Sequence, residues 1–344
     1  MRYRSNFLSC DIDFDAKGKN FDVARLVYSD DDNANRVFLI PIVTIANGEG
    51  PTALLCAGNH GNEDEGQLIL RRLIHDLDPD DVQGRIIVLP AMNYPAVRAS
   101  TRVSPLDGEN LNRSFPGDGT AGPTRAIARF IVDALLPMAD AGMDLHSGSY
   151  FAEFVGTTFL CTSDDLNMHQ ASFEMADAFN MPYMYVVDGT GSPTGFDGSA
   201  HAQNVPFMST ELGGGGIDRD ILRQGSEGVH NVLAHLGIVA PTAGGRDRND
   251  TVYLDAVTGS GAVTAPFAGS FEAHFDAGDE VEPGQTAGYL YSLDEIEREP
   301  VELKFTKAGV VAIKAVSARV VQGTRIAVTA SAVDRDAIPR LGGP

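Results

Sequence analysis

Leu54-Leu55-Cys56-Ala57-Gly58-Asn59-His60-Gly61-Asn62-Glu63-Asp64-Glu65-Gly66 begins as an apolar run and ends in a His and a Glu three residues apart. A short apolar run bounded by turn residues reads as a buried strand. His60 and Glu63 then stand where a strand ends, and a nitrogen and a carboxylate oxygen can meet one metal ion there. Zinc accepts that mixture, and a catalytic zinc takes three protein ligands while keeping a fourth position open. A third donor is expected downstream. Ala141-Gly142-Met143-Asp144-Leu145-His146-Ser147-Gly148 again delivers a His from an apolar segment into a Ser/Gly turn, which makes His146 the candidate.

Outward from this stretch the chain alternates. Residues 65–77 carry a helical pattern, 85–90 a strand, and 123–136 a helix opened by Pro123, a position where proline is favoured. Strands are expected at 143–146, 157–161, 183–187 and 206–212, with helices at 167–179 and 218–236. Before residue 50 the pattern is strands and turns, at 21–28 and 36–45. The alternation predicts an α/β fold, a mostly parallel or mixed sheet between helices. Ligands in such sheets bind beyond the carboxyl ends of strands, so His60, His146 and Glu211 should converge.

The domain reading is a catalytic unit over 1–240, a linker at 241–250 of Pro, Gly and polar residues, and a smaller all-β domain over 251–344. The last segment resembles the flattened barrel of biotinyl and lipoyl carrier domains. A carrier presents a modifiable Lys at a hairpin tip, whereas 291–299 holds none, so a structural cap or substrate-entry wall is expected.

At 344 residues the chain exceeds a comfortable single core, in agreement with one large and one small domain. The net charge of −21 argues against a nucleic-acid partner, because phosphate binding needs clustered Lys and Arg. No run approaches the roughly 18 apolar residues of a membrane span. The first residues lack the apolar core of a secretory signal, and the expected location is cytoplasmic. Cys10, Cys56 and Cys161 cannot all pair and show no Cys-x-x-Cys spacing, so thiol chemistry is not expected. A homo-oligomer is the default from the frequency of symmetric assemblies.

The order His60-x-x-Glu63, Asn93, Arg102, Asn112-Arg113, His146, then Thr210-Glu211-Leu212-Gly213-Gly214-Gly215-Gly216 resembles the succinylglutamate desuccinylase/aspartoacylase family, relatives of the zinc carboxypeptidases. The likeness spans roughly residues 36–240. Within the family it is most similar to the bacterial N-α-acetyl-diaminobutyrate deacetylases of ectoine breakdown, through residues 90–96, 110–117 and 211–216. The resemblance implies a zinc-dependent amidohydrolase acting on a small N-acyl amino acid, with one zinc per subunit on His60, Glu63 and His146. Glu211 is then the general base, and Arg102 the partner of the charge developing on the carbonyl oxygen, with Arg98 a competitor. Asn112 and Arg113 would clamp the substrate carboxylate, with Asn93 positioned by the same loop. Gly213 to Gly216 would let backbone pass close to a ligand.

One departure is visible. Members tend to follow the metal His with Ser-Gly-Gly, whereas this chain reads His146-Ser147-Gly148-Ser149-Tyr150-Phe151. That turn is expected beside the substrate, so another acyl group or side chain is allowed. A zinc carboxypeptidase on short peptides would use the same clamp. A binding protein has no need of a general base, and the other histidines, His75, His169, His201, His230, His235 and His274, have no carboxylate at metal spacing.

Overall fold

The computed structural model describes residues 1–29, 31, 33–189, 194–242 and 250–341. Four strands, β1 (Arg2–Arg4), β2 (Leu8–Asp11), β3 (Gly18–Tyr28) and β4 (Arg36–Asn47), form an antiparallel meander at one end of a large mixed sheet. The alternating part follows, with β5 (Thr52–Ala57), α1 (Asp64–Asp76), β6 (Gly84–Leu89), α2 (Tyr94–Ala99), α3 (Pro123–Phe130) and β7 (Ala141–His146). Next come β8 (Ala152–Phe154), β9 (Thr157–Cys161), α4 (Leu166–Phe179), β10 (Tyr183–Val187), α5 (Phe196–His201), β11 (Phe207–Glu211) and α6 (Arg219–His235). The sheet runs β4-β6-β5-β7-β11-β9-β10 through its centre. β5 pairs in parallel with both β6 and β7, and β7 in parallel with β11, while β9 lies antiparallel to β11.

The opening stretch explains itself here. Ala53, Leu55 and Ala57 pack with Ile69, Met143, Leu145, Phe173 and Val232 on one face of the sheet. Leu54 and Cys56 pack with Ile87, Phe130, Ile131 and Phe207 on the other. A strand covered on both faces needs apolar residues at every position, and β5 is buried throughout. Burying Leu54 and Leu55 stabilises the fold by about 1.5–3 kcal/mol each.

The helix expected over 123–136 is α-helical only to Phe130. It continues as a π turn at Ile131–Leu135 and ends in a 3-10 turn at Leu136–Met138, within which Pro137 has no amide to donate. His169 and His201, read as lying in polar segments, sit on α4 and α5. His169 is buried, with Nε2 2.9 Å from the Ile338 carbonyl oxygen.

The C-terminal part is β-rich. Its strand Val252–Asp255 pairs in parallel with β10, and Arg325–Val333 pairs antiparallel with it, so the large sheet continues into this region. A separate four-stranded antiparallel sheet is built from Val301–Lys304, Thr286–Ser292, Gly269–Ala273 and Arg319–Val320. It closes over its own core of Val263, Phe271, Leu290, Phe305 and Ile326. Of the expected linker, residues 243–249 lie outside the described residues. Among the described residues no helix is long and apolar enough to cross a membrane.

Candidate active site

β5, β7 and β11 are neighbours and end together, with Ala57 opposite Leu145 and His146 opposite Glu211. Their register makes the convergence a consequence of the sheet. His60 lies just beyond β5 in a turn pressed against α2, and a Cβ on Gly61 would stand 2.0 Å from the carbonyl carbon of Ala96. Only glycine fits that approach. Glu63 occupies the residue before α1, where a side chain often caps the helix. It makes no cap bond, and its carboxylate reaches the histidines instead.

Glu63 Oε1 lies 2.8 Å from His60 Nδ1, and its Oε2 lies 2.8 Å from His146 Nδ1. Both rings therefore turn Nδ1 inward. Their outer nitrogens are engaged, His60 Nε2 at 3.2 Å from Asn110 Oδ1 and His146 Nε2 at 2.8 Å from Asp144 Oδ2. An acceptor on Nε2 fixes the proton there and leaves Nδ1 as a lone-pair donor, the orientation metal-bound imidazoles take. One ligand atom from each of His60, Glu63 and His146 falls within 4.8 Å of the others, and all three residues are buried. The set fits a metal. Charge balance agrees: burial pushes the Glu63 carboxyl up, yet His146 and His60 outweigh it and bring it to about 2. Burial lowers His146, but Asp144 and Glu63 raise it well above the usual imidazole range. Two buried carboxylates around these rings favour a positive charge, which a cation between the donors supplies.

The group opens into a cleft of about 740 Å³. Glu211, Arg102, Asn112 and Arg113 line it together with the three donors. Glu211 Oε2 is shielded and has no hydrogen-bond partner among the described residues. Burial and the Glu63 charge raise its carboxyl to about 8, against the opposing pull of His146 and Arg102. Arg102 Nη1 donates to Glu63 Oε1 at 3.2 Å. Arg98 lines a different hollow with Tyr28 and Tyr94, away from the triplet. Asn112 Oδ1 accepts from the Phe196 amide at 3.2 Å, tying its loop to α5.

Asn93 is not among the cleft-lining residues. It is fully buried behind the turn, and its Nδ2 donates to the Asn59 carbonyl at 3.1 Å. The glycine run is also displaced from its expected place. All four glycines have positive φ, but Gly214 packs against Gly148 and Ala152 rather than lining the cleft. It shapes the turn after His146: Gly148 donates to the Gly213 carbonyl at 3.0 Å and Gly215 to that of Ser149 at 2.6 Å.

Several supporting residues went unread in the sequence. Asp144 precedes His146 by two, the spacing that puts both on one face of a strand, and that signal was available. Asn110, Asn59 and Glu65 had none. Asn59 Nδ2 donates to Asp144 Oδ2 at 2.8 Å, and Glu65 accepts from the Ser147 hydroxyl. Ser149 accounts for the departure after His146. It is left-handed, with φ +54°, a conformation that favours glycine, and its hydroxyl donates to the Asn62 carbonyl at 2.7 Å. The turn does reach the cleft, through Ser147, Gly148 and Phe151.

Sheet, triplet and half-buried glutamate, with the family match below, define an amidohydrolase. The family model for the succinylglutamate desuccinylase/aspartoacylase catalytic domain matches residues 49–236, and the chain belongs to that family. It is 37% identical over 332 residues to the N-alpha-acetyl-L-2,4-diaminobutyric acid deacetylase of Halomonas elongata, covering 96% of this chain and 97% of the relative. The product-bound ectoine utilization protein EutE (DoeB) from Ruegeria pomeroyi superposes with a TM-score of 0.89 at 34% identity, over 95% of this chain and 100% of that one. A succinylglutamate desuccinylase from Silicibacter sp. superposes with a TM-score of 0.91 at 34% identity, over 96% and 100%.

Proposed function

We propose that the protein hydrolyses the amide of N-α-acetyl-L-2,4-diaminobutyrate, releasing acetate and the free diamino acid, as a step of ectoine breakdown. Similarity to the Halomonas deacetylase over nearly the whole chain supports the substrate. The observation that carries the chemistry is Glu211, whose shielded, unpartnered Oε2 lines the same cleft as His60, Glu63 and His146.

His60, Glu63 and His146 would hold one zinc, which supplies Lewis acidity and lowers the pKa of water. Glu211 accepts the proton of the attacking water as its oxygen bonds to the amide carbon. It returns that proton to the nitrogen as the carbon–nitrogen bond breaks. A carboxylate shielded from solvent and held above its usual pKa is suited to that exchange. Arg102 faces the charge that develops on the carbonyl oxygen. Arg113, with Asn112 anchored to α5, receives the α-carboxylate and so orients the amide. Asn93 supports the turn that carries His60 and Glu63 from behind, by fixing the Asn59 carbonyl.

Residues 251–344 serve as a wall of the entry in this reading. The strand Gly309–Ala315 pairs with β8, and Ala152 and Phe154 of β8 line the cleft. Three free thiols agree with a reducing, cytoplasmic setting, and we take a homo-oligomer as the working assembly.

The experiment is amine release from a panel of N-acetyl, N-succinyl and N-formyl amino acids with zinc-loaded protein and a chelated control. Chelator-sensitive turnover greatest on N-α-acetyl-diaminobutyrate is expected. Turnover of peptides alone would overturn the reading.

A further inference from the structure

We propose that copies of this chain associate head to tail, the acidic hairpin tip 293–299 of one copy docking on the basic-rimmed apolar face of β3 and β4 in the next. The proposal rests on the homo-oligomer taken above as the working assembly, and not on the chemistry of the cleft. Phe21 and Ile296 are the two most exposed large apolar side chains among the described residues, at 69% and 92%. One stands on each surface.

β3 and β4 are fully covered on one face only. Ala24 and Leu26 of β3, with Ile40 and Ile42 of β4, join the core that includes α3. The opposite face carries Phe21, Val23 and Val27, which the register sets beside Val43, Pro41 and Val37. Phe21, Pro41 and Val43 line a groove of about 440 Å³ against Arg71 and Ile74 of α1. Val37 and Leu39 line a second groove against Tyr94 and Arg98 of α2. A continuous exposed apolar face of this kind marks an interaction surface. Its charge names the partner. Lys19 and Arg71 border the first groove and Arg98 the second, while exposed Arg25 lies between Val23 and Val27 on the strand. No carboxylate lines either groove, in a chain with 47 acidic residues to 26 Lys and Arg. Arg25, Arg71 and Arg98 make no ion pair among the described residues. Two copies of a basic face repel one another, so the occupant is acidic.

The chain carries such an occupant. Thr286–Ser292 and Val301–Lys304 pair, and the tip between them is exposed at every residue from Leu293 to Glu299. It holds Asp294, Glu295, Glu297 and Glu299 against Arg298 alone. The tip is braced. The Ser292 hydroxyl accepts from the Asp294 and Glu295 amides at 3.3 and 3.0 Å, and the Arg298 guanidinium lies over the Phe267 ring, 4.2 Å from its centre. A braced tip presents Ile296 outward and has little freedom left to lose on docking. Within one chain the two surfaces belong to opposite ends of the large sheet. Six strands, β6, β5, β7, β11, β9 and β10, separate β4 from Val252–Asp255, about 34 Å along the sheet at ~4.8 Å per strand. The sheet that bears the hairpin packs, through Phe271 and Leu290, on Val263 and Ile326 of the strands at that far end. The contact therefore joins two copies, and it is heterologous: each copy offers one tip and one face.

The test is sedimentation velocity of the full chain across a concentration series, for wild type, Ile296→Asp and Phe21→Asp. Both positions are exposed, so the variants should melt as wild type does and release amine at the wild-type rate. Each should weaken self-association roughly 10–100-fold, the worth of burying one large apolar side chain. Raising salt to about 0.5 M should weaken the wild-type assembly as well, because screening cuts the reach of the rim charges to a few ångströms. Mixed together, the two variants should form a pair that neither forms alone, since each keeps the surface the other has lost. Association unmoved by either variant places the interface elsewhere and overturns the inference alone. Loss in both variants without recovery on mixing means that tip and face do not meet, and overturns it too. A wild-type chain that stays monomeric at every concentration overturns the inference and the working assembly together.

Discussion

Asp144 and His146 share one face of β7, and Asp144 Oδ2 stands 2.8 Å from His146 Nε2, so the carboxylate fixes the ring that turns Nδ1 toward Glu63. Asn59 donates to the same oxygen and holds it in place. Such a partner orients the imidazole and raises its basicity. Asp144→Ala should weaken zinc affinity about 10–100-fold by this mechanism. Competition against a chromophoric chelator measures it, and affinity within about threefold of wild type would show that the bond is incidental.

Glu211→Gln should lower turnover by about 10²–10⁴-fold, the range of base catalysis, with zinc affinity retained. Loss of less than tenfold removes Glu211 from the reaction.

The same residue sets a pH dependence of stability in metal-free protein. Its folded pKa of about 8 lies above the ordinary 4.5, because burial and Glu63 disfavour the charge. A raised folded pKa contributes stability that is complete below the unfolded value and is lost as pH rises through the folded one. Wild type should therefore lose ground to Glu211→Gln between about pH 5 and 9, with the gap in Tm widening at the alkaline end. Thermal melts in chelator follow it, and parallel curves for the two proteins would contradict the assignment.

How much was legible follows from where each signal lies in the chain. β5 announced itself because burial on both faces demands an unbroken apolar run, and β7 and β11 end in residues whose chemistry is out of place in a core. Their convergence followed from strand–helix alternation alone. The direction of β9 was not legible, since an antiparallel strand has the same apolar content as a parallel one, and it decides where the cleft runs. The return of Val252–Asp255 to the large sheet was hidden for the same reason, because pairing across long separations leaves no local pattern. Asn110 reaches His60 from fifty residues away, and no periodicity marks it. The glycines at 213–216 were read as room for a ligand, whereas what fills that room is the turn Gly148–Ala152.

Ser149 offers a separable test of that turn. Its left-handed backbone costs roughly 1 kcal/mol relative to glycine, and its bond to the Asn62 carbonyl returns about 0.5–1.5 kcal/mol. Ser149→Gly should leave stability within about 0.5 kcal/mol, since strain and bond vanish together. Ser149→Ala keeps the strain without the bond and should lose about 1 kcal/mol. Urea unfolding of the three proteins would refute this account if alanine proved as stable as glycine.

Gly61→Ala tests the turn that aims His60 and Glu63. The added methyl would lie 2.0 Å from the Ala96 carbonyl carbon and 2.1 Å from its oxygen, both backbone atoms of α2 with no rotamer to relieve the clash. Either α2 or the turn must move. Within α2 the Val97 amide donates to the Asn93 carbonyl at 3.0 Å and closes the first turn, and the Gly61 amide is itself bound to the Thr101 carbonyl at 2.8 Å. A shift of the turn displaces His60 and Glu63 together, two of the three donors. The variant should therefore lose zinc affinity along with roughly 1–3 kcal/mol of stability, the usual cost of overpacking a filled site. Isothermal zinc titration beside a denaturant melt separates the two effects. Stability falling while zinc binds as in wild type would mean that α2 yields and the turn stays, and the rigid support assigned to α2 would be wrong.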